Sequence, residues 1–250
     1  MLIKFICCDI FTRIACKLVS ESPHIIDIEF LPMLAHNEPK KLNAMIQESI
    51  RKSMESTDRK YDAIILGYGL CGNSVIGLSC SVPMIIPRAH DCCAIQLGGK
   101  EKFIAAFGDI LSARWSSTGY FERCHALNNG SLNKDQQQSV SYKTSAEYMN
   151  YVEQYGEENA DYIWETMHPG IETDEVVYIR IDGFEYSSSF EKYTSGIEHS
   201  EKKLKIVDGD ISMLKALIDG VWDDGRFLVI PPGKKIVGVY DMEQVMIAED

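Results

Sequence analysis

Apolar runs of strand length alternate with helix-patterned segments along the first half of this chain, and that alternation narrows its possible folds more than any other feature. Leu2 to Cys8 is a strand-length run, and Thr12 to Ser20 has the look of a short helical crossover. Ile25 to Phe30 returns as a strand. Asn37 then stands as a cap and Pro39 as a first-turn residue for a helix carrying Leu42, Met45, Ile46 and Ile50 at helical spacing and ending near Arg59. Tyr61 to Leu66 is the next strand, breaking into the loop Gly67 to Asn73, with a short helix expected to follow as far as Leu78. Val82 to Ile86 is a fourth strand, stopped by Pro87, after which Asp91 is placed to cap another helix. Nearly unbroken apolar strands separated by helices argue for a parallel sheet covered on both faces. The fold class is therefore α/β, with a mostly parallel, doubly wound sheet.

The middle of the chain interrupts this rhythm. Asn128 to Ser131 and Gln136 to Gln138 read as loop, Trp115 to Phe121 as an excursion over the site, and Ala146 to Met167 as one or two helices. Alternation resumes with strands at Val176 to Ile181, Leu204 to Val207, Phe227 to Ile230 and Ile236 to Tyr240, and with a helix from Ile211 to Trp222 capped by Asp210. The 250 residues read as one domain, the alternative being lobes over 1–111 and 170–250 with 112–169 inserted between them.

Composition removes several classes of function. A net charge of −12 argues against nucleic acid, whose affinity is built on clustered Lys and Arg. The apolar opening is interrupted by Asp9 and Arg13 too soon for a signal peptide or a membrane span, so a cytoplasmic protein without a membrane partner is expected. Eight cysteines in a reducing compartment point to metal binding, catalysis or burial before disulfides.

In an open parallel sheet the residues that immediately follow strands share one edge, where ligands bind. Cys7 and Cys8 close the first strand, His36 follows the second, Cys71 lies in the loop after the third, and His90, Cys92 and Cys93 follow the fourth. Thiolates with imidazole suit zinc, and thiolates alone or with one other ligand suit an iron–sulfur cluster. Cys8, Cys71 and Cys92 are the expected thiolate ligands, with His90 or His36 as the fourth ligand or a neighbour. Whether Cys7 or Cys8 faces the site is open at this point. Cys16 and Cys80 are expected to be small buried hydrophobes, a reading that also leads for Cys124. Cys92 has a second reading as a nucleophile of lowered pKa, near Arg88 and with His90 as base. A metal-free alternative uses Gly67, Gly69, Gly72 and Asn73 to wrap a phosphate or other small molecule, with Arg88 as its charged partner.

LGYGLCGN at Leu66 to Asn73, IPRAHDC at Ile86 to Cys92, FLPMLAHNEPKKL at Phe30 to Leu42 and FLVIPPGKKIVGVYD at Phe227 to Asp241 resemble the domain-of-unknown-function family 1638. The resemblance implies a shared cysteine and histidine site at the first-strand cysteine, His36, Cys71, His90, Asp91 and Cys92. It also implies a place in anaerobic one-carbon metabolism, because the family is found beside corrinoid-dependent methyltransferase systems. A corrinoid protein or methyltransferase is accordingly an expected partner, with any corrinoid contact made only through it.

Overall fold

A computed structural model describes residues 1–33, 35, 38–107, 115–127, 152, 156, 175–184, 187–198, 203–239 and 244–250. Strand β1 (Leu2–Cys8) leads through a 3-10 turn (Asp9–Phe11) into α1 (Thr12–Glu21), β2 (Ile25–Leu31) and α2 (Pro39–Glu55). Next come β3 (Ala63–Gly67), β4 (Met84–Pro87), α3 (Cys92–Gln96) and α4 (Lys100–Phe107). Beyond these lie β5 (Trp115–Ser117), α5 (Thr118–Leu127), β6 (Glu175–Arg180), α6 (Ser187–Glu198) and β7 (Lys203–Asp208). The chain closes with α7 (Ser212–Ile218), β8 (Phe227–Ile230), β9 (Lys235–Gly238) and β10 (Met246–Glu249).

The main sheet has the order β2-β1-β3-β4-β8. β1 runs parallel to β2 and β3, and β3 to β4, while β8 lies antiparallel on β4. Ala63 to Leu66 and Met84 to Ile86 are buried on both faces, which explains why these strands read as continuous apolar runs. α2 lays Leu42, Ile46 and Ile50 against the core, each worth about 1.5–3 kcal/mol when buried. Ser49, buried beside them, has its hydroxyl satisfied by Glu29 Oε1 at 2.6 Å. A second, smaller parallel sheet has the order β5-β6-β7, and β9 pairs antiparallel with β10. Each larger sheet draws on more than one part of the chain: β5 comes from the segment expected as an insertion, and β8 returns to the first sheet.

Several local expectations are corrected. Residues Cys71 to Gly77 form turns and not a helix, because Cys71, Gly72, Asn73 and Gly77 have φ of 46°, 65°, 69° and 79°. Positive φ cannot continue a right-handed helix. The stretch from Trp115 to Phe121 is β5 and the start of α5, held to β6 by parallel pairing, and not a loose excursion. α2 stops at Glu55, and Arg59 pairs instead with Asp27 on β2. Asn37, Asn128 to Ser131, Gln136 to Gln138 and the helices expected between Ala146 and Met167 lie outside the described residues, apart from 152 and 156.

Candidate functional site

The strand order reverses between β1 and β3, so the connections leaving the carboxyl ends of those two strands diverge, as they do where open parallel sheets bind ligands. Three connections meet there. The loop after β3 and the segment after β4 are joined by backbone hydrogen bonds: Leu70 N–H donates to Ala89 O and Cys71 N–H to His90 O, both at 2.8 Å. Gly69 permits this contact, since a Cβ there would lie 2.6 Å from Ala89 O and 2.8 Å from Asp91 N. Asn43 on α2 steadies the loop from the other side, donating from Nδ2 to Ser74 O and Ile76 O at 2.8 Å each. Asp91 caps α3 through Oδ1, which accepts from Ala94 N–H at 2.9 Å and fixes the turn that presents Cys92.

The expected thiols come together. Cys71 Sγ lies 3.9 Å from Cys92 Sγ, and both residues are half-buried. Cys8, buried at the end of β1, acts on the Cys92 thiol second to Cys71. Of the doublet it is Cys8 that acts on the Cys92 thiol, while Cys7 is fully buried with its Sγ donating to Cys8 O at 3.4 Å. A Cβ on Gly67 would strike that Cys7 sulfur at 2.5 Å, so this glycine serves strand packing. Sharing with Cys71 first, then with Cys8, and then burial push the Cys92 thiol well above its ordinary pKa. The expectation of a lowered pKa is overturned, because neighbouring thiols hold the proton and α3 is a single short turn.

Other expected residues have different surroundings. His90 lines a small pocket with Arg88, Ala94, Lys100, Phe103 and Val245, a lining that includes none of the three thiols, and its Nε2 is buried without a partner. Arg88, expected to bind an anion, gives Nε to Asp224 O and Phe227 O and Nη1 to Gln244 O and Met246 O, at 2.6–3.2 Å. The glycine string is followed by turns, so no helix N-terminus stands behind it to receive a phosphate. Cys80 is buried as expected, Cys16 is exposed against expectation, and His36 lies outside the described residues, as does the side chain of Cys124.

One residue escaped the sequence reading. Tyr68 is 2% exposed, and its hydroxyl is buried without a partner. Burial first, and then Cys8, Cys7, Cys92 and Cys71, raise its pKa well above the usual phenol value. A tyrosine between two glycines carries no signal of that placement. Among the described residues no three His, Cys, Asp or Glu side chains already stand together as ligands of one ion, and no helix is long and apolar enough to cross a membrane. The family model described as Protein of unknown function (DUF1638) matches residues 30–218. Neither a curated protein nor a solved structure matches the chain.

Proposed function

Because the chain belongs to the DUF1638 family of proteins of unknown function, its activity must be argued from its own site, and we propose that it holds a single zinc-type metal ion between the thiolates of Cys8, Cys71 and Cys92. The observation that carries this reading is the 3.9 Å separation of the Cys71 and Cys92 sulfurs. Two thiolates on one tetrahedral ion, with metal–sulfur bonds of about 2.3 Å, stand about 3.8 Å apart. In a cubane iron–sulfur cluster each cysteine takes a different iron, which spreads the sulfurs further. Coordination then needs only that Cys8 close on a pair already at ligand spacing. The fourth position falls to His36 or to an exogenous ligand. Zinc, when bound, supplies a Lewis acid and stabilises its ligands as thiolates.

Anoxic purification with elemental analysis, followed by zinc and cobalt(II) titration, tests the reading. One equivalent of metal is expected, lost in Cys71→Ser and in Cys92→Ser, with His36→Ala telling a histidine ligand from an exogenous one. Stoichiometric iron with a broad visible absorbance would replace zinc by a cluster, and wild-type protein that takes up no metal would end the proposal. The family resemblance extends the reading to corrinoid-dependent one-carbon metabolism in anaerobes. That extension predicts that a purified corrinoid methyltransferase protein binds the metal-loaded chain and not the Cys71→Ser variant.

A further inference from the structure

We infer that the chain binds a short aliphatic carboxylate in a pocket where the carboxyl ends of β5 and β6 meet the connections leaving β1 and β4. The inference stands apart from the metal reading and uses none of its ligands. The pocket offers about 290 Å³ of space, its mouth included. Ser117 and Thr118 lead β5 into α5, Ile181 follows β6, Ile10 follows β1, and Gln96 ends α3 beyond β4. Parallel sheets bind their ligands at this edge.

The polar part of the wall is made of donors. Gln96 is 3% exposed, and its side-chain Nε2 is buried without a partner. Its carbonyl is taken by Asp210 N–H at 2.8 Å, so what Gln96 brings to the pocket is that amide. Ser117 is 2% exposed; its Oγ accepts from Tyr120 N–H at 3.3 Å, and its own proton has no acceptor among the described residues. The first turn of α5 adds backbone N–H groups without helical partners. Gly119 lets that turn close on the chain after β1, since a Cβ there would lie 1.9 Å from Ile10 O. No Asp or Glu stands among the described lining residues. Buried donors are ordinarily satisfied, and a wall of unspent ones calls for an acceptor that carries no proton of its own. A carboxylate is such an acceptor. The rest of the wall is Ile10, Ile14, Ile179, Ile181 and Phe184, which suits a hydrocarbon tail. Arg13 also lines the pocket, but it already holds Glu122 through Nε at 2.7 Å and Nη2 at 2.8 Å. Lys17, with no ion-pair partner among the described residues, stands over the Phe184 ring with Nζ 4.9 Å from its centre. One positive charge beside the pocket matches a monoanion better than the two charges of a phosphate.

Isothermal titration calorimetry of the full chain with acetate, propionate and butyrate tests this. Saturable binding is expected, tightening roughly fourfold with each methylene that enters the apolar part of the pocket. Gln96→Leu keeps much of the side chain's size and removes the donor. Loss of a hydrogen bond to a charged group should weaken butyrate about 10- to 100-fold. The melting temperature of the ligand-free variant should equal or exceed that of the wild type, because an unpaired buried group has gone. Should Gln96→Leu not fold, Ser117→Ala supplies the second arm, with a loss of butyrate affinity in the same direction. Wild-type chain that takes up none of the three acids at millimolar concentration would overturn the inference. So would butyrate affinity unchanged in both variants, displacement of butyrate by butan-1-ol, or inorganic phosphate bound more tightly than butyrate.

Discussion

Cys71 sits at φ 46°, followed by Gly72 and Asn73 also at positive φ, a backbone region that costs an L residue about 1–2 kcal/mol. On the proposed metal reading, that cost is offset by the sulfur's place among the ligands. Cys71→Gly is therefore expected to leave the melting temperature of the metal-free chain within a few degrees of wild type while abolishing metal uptake, as read by calorimetry and elemental analysis. Cys71→Val, which adds a branched Cβ to the same strained backbone, should lower it. A pH dependence follows from the same region. Burial raises the Cys7 and Cys93 thiols, and sharing with Cys71 and Cys8 raises Cys92, all from an ordinary value of 9.0. A group whose pKa is higher in the folded state stabilises that state fully below the unfolded value, and the benefit is lost as pH rises toward the folded one. Thermal melts of the metal-free chain should hence be flat in this respect up to about pH 8 and fall above about pH 9. The thiols at this site were legible because they follow strands. Tyr68 was not, since the burial of its hydroxyl depends on how distant segments pack around it, and Cys16 was misread because helical periodicity alone did not fix which side of α1 it occupies.

Between the residue and the whole lie the two connections that touch at Gly69. Gly69→Ala drives a Cβ into backbone atoms of Ala89 and Asp91, and overpacking of this kind costs about 1–3 kcal/mol. Urea unfolding should show that loss, and zinc affinity should fall with it, because relief requires the Cys71 and Cys92 segments to part. Asp91→Ala removes the cap of α3 at a cost of about 1 kcal/mol, with a weaker effect on zinc for the same reason. Most elements of the main sheet could be read from period and punctuation. β3 and β4 announced themselves as doubly buried apolar runs, and Pro39 marked the start of α2. The turns after Asn73 were misread as helix because the positive φ at Cys71 and Asn73, on either side of Gly72, leaves no mark in composition. β10 was missed because Met246–Glu249 is short and becomes a strand only by pairing with β9.

At the scale of the molecule, Arg88 joins the end of β4 to the Asp224–Phe227 turn and to the chain around β10 through four carbonyls. Replacing it with methionine keeps much of the stem and strands those acceptors. The expected loss is about 2–4 kcal/mol in urea unfolding, with faster proteolysis near Gln244. That a parallel sheet would form was readable from the alternation of runs, whereas the order β2-β1-β3-β4-β8 and the antiparallel return of β8 were not, because pairing between distant segments has no local signature. The meeting of the thiols follows from that order. Cys8, Cys71 and Cys92 stand at the ends of or beyond β1, β3 and β4, with β3 seated between the other two. If the three thiols bind metal as proposed, a chain growing from the ribosome shows no cobalt–thiolate colour before α3 has emerged and β3 has slotted into place. Absorbance at the proposed centre would then clock sheet assembly during synthesis, a gauge with no dye attached.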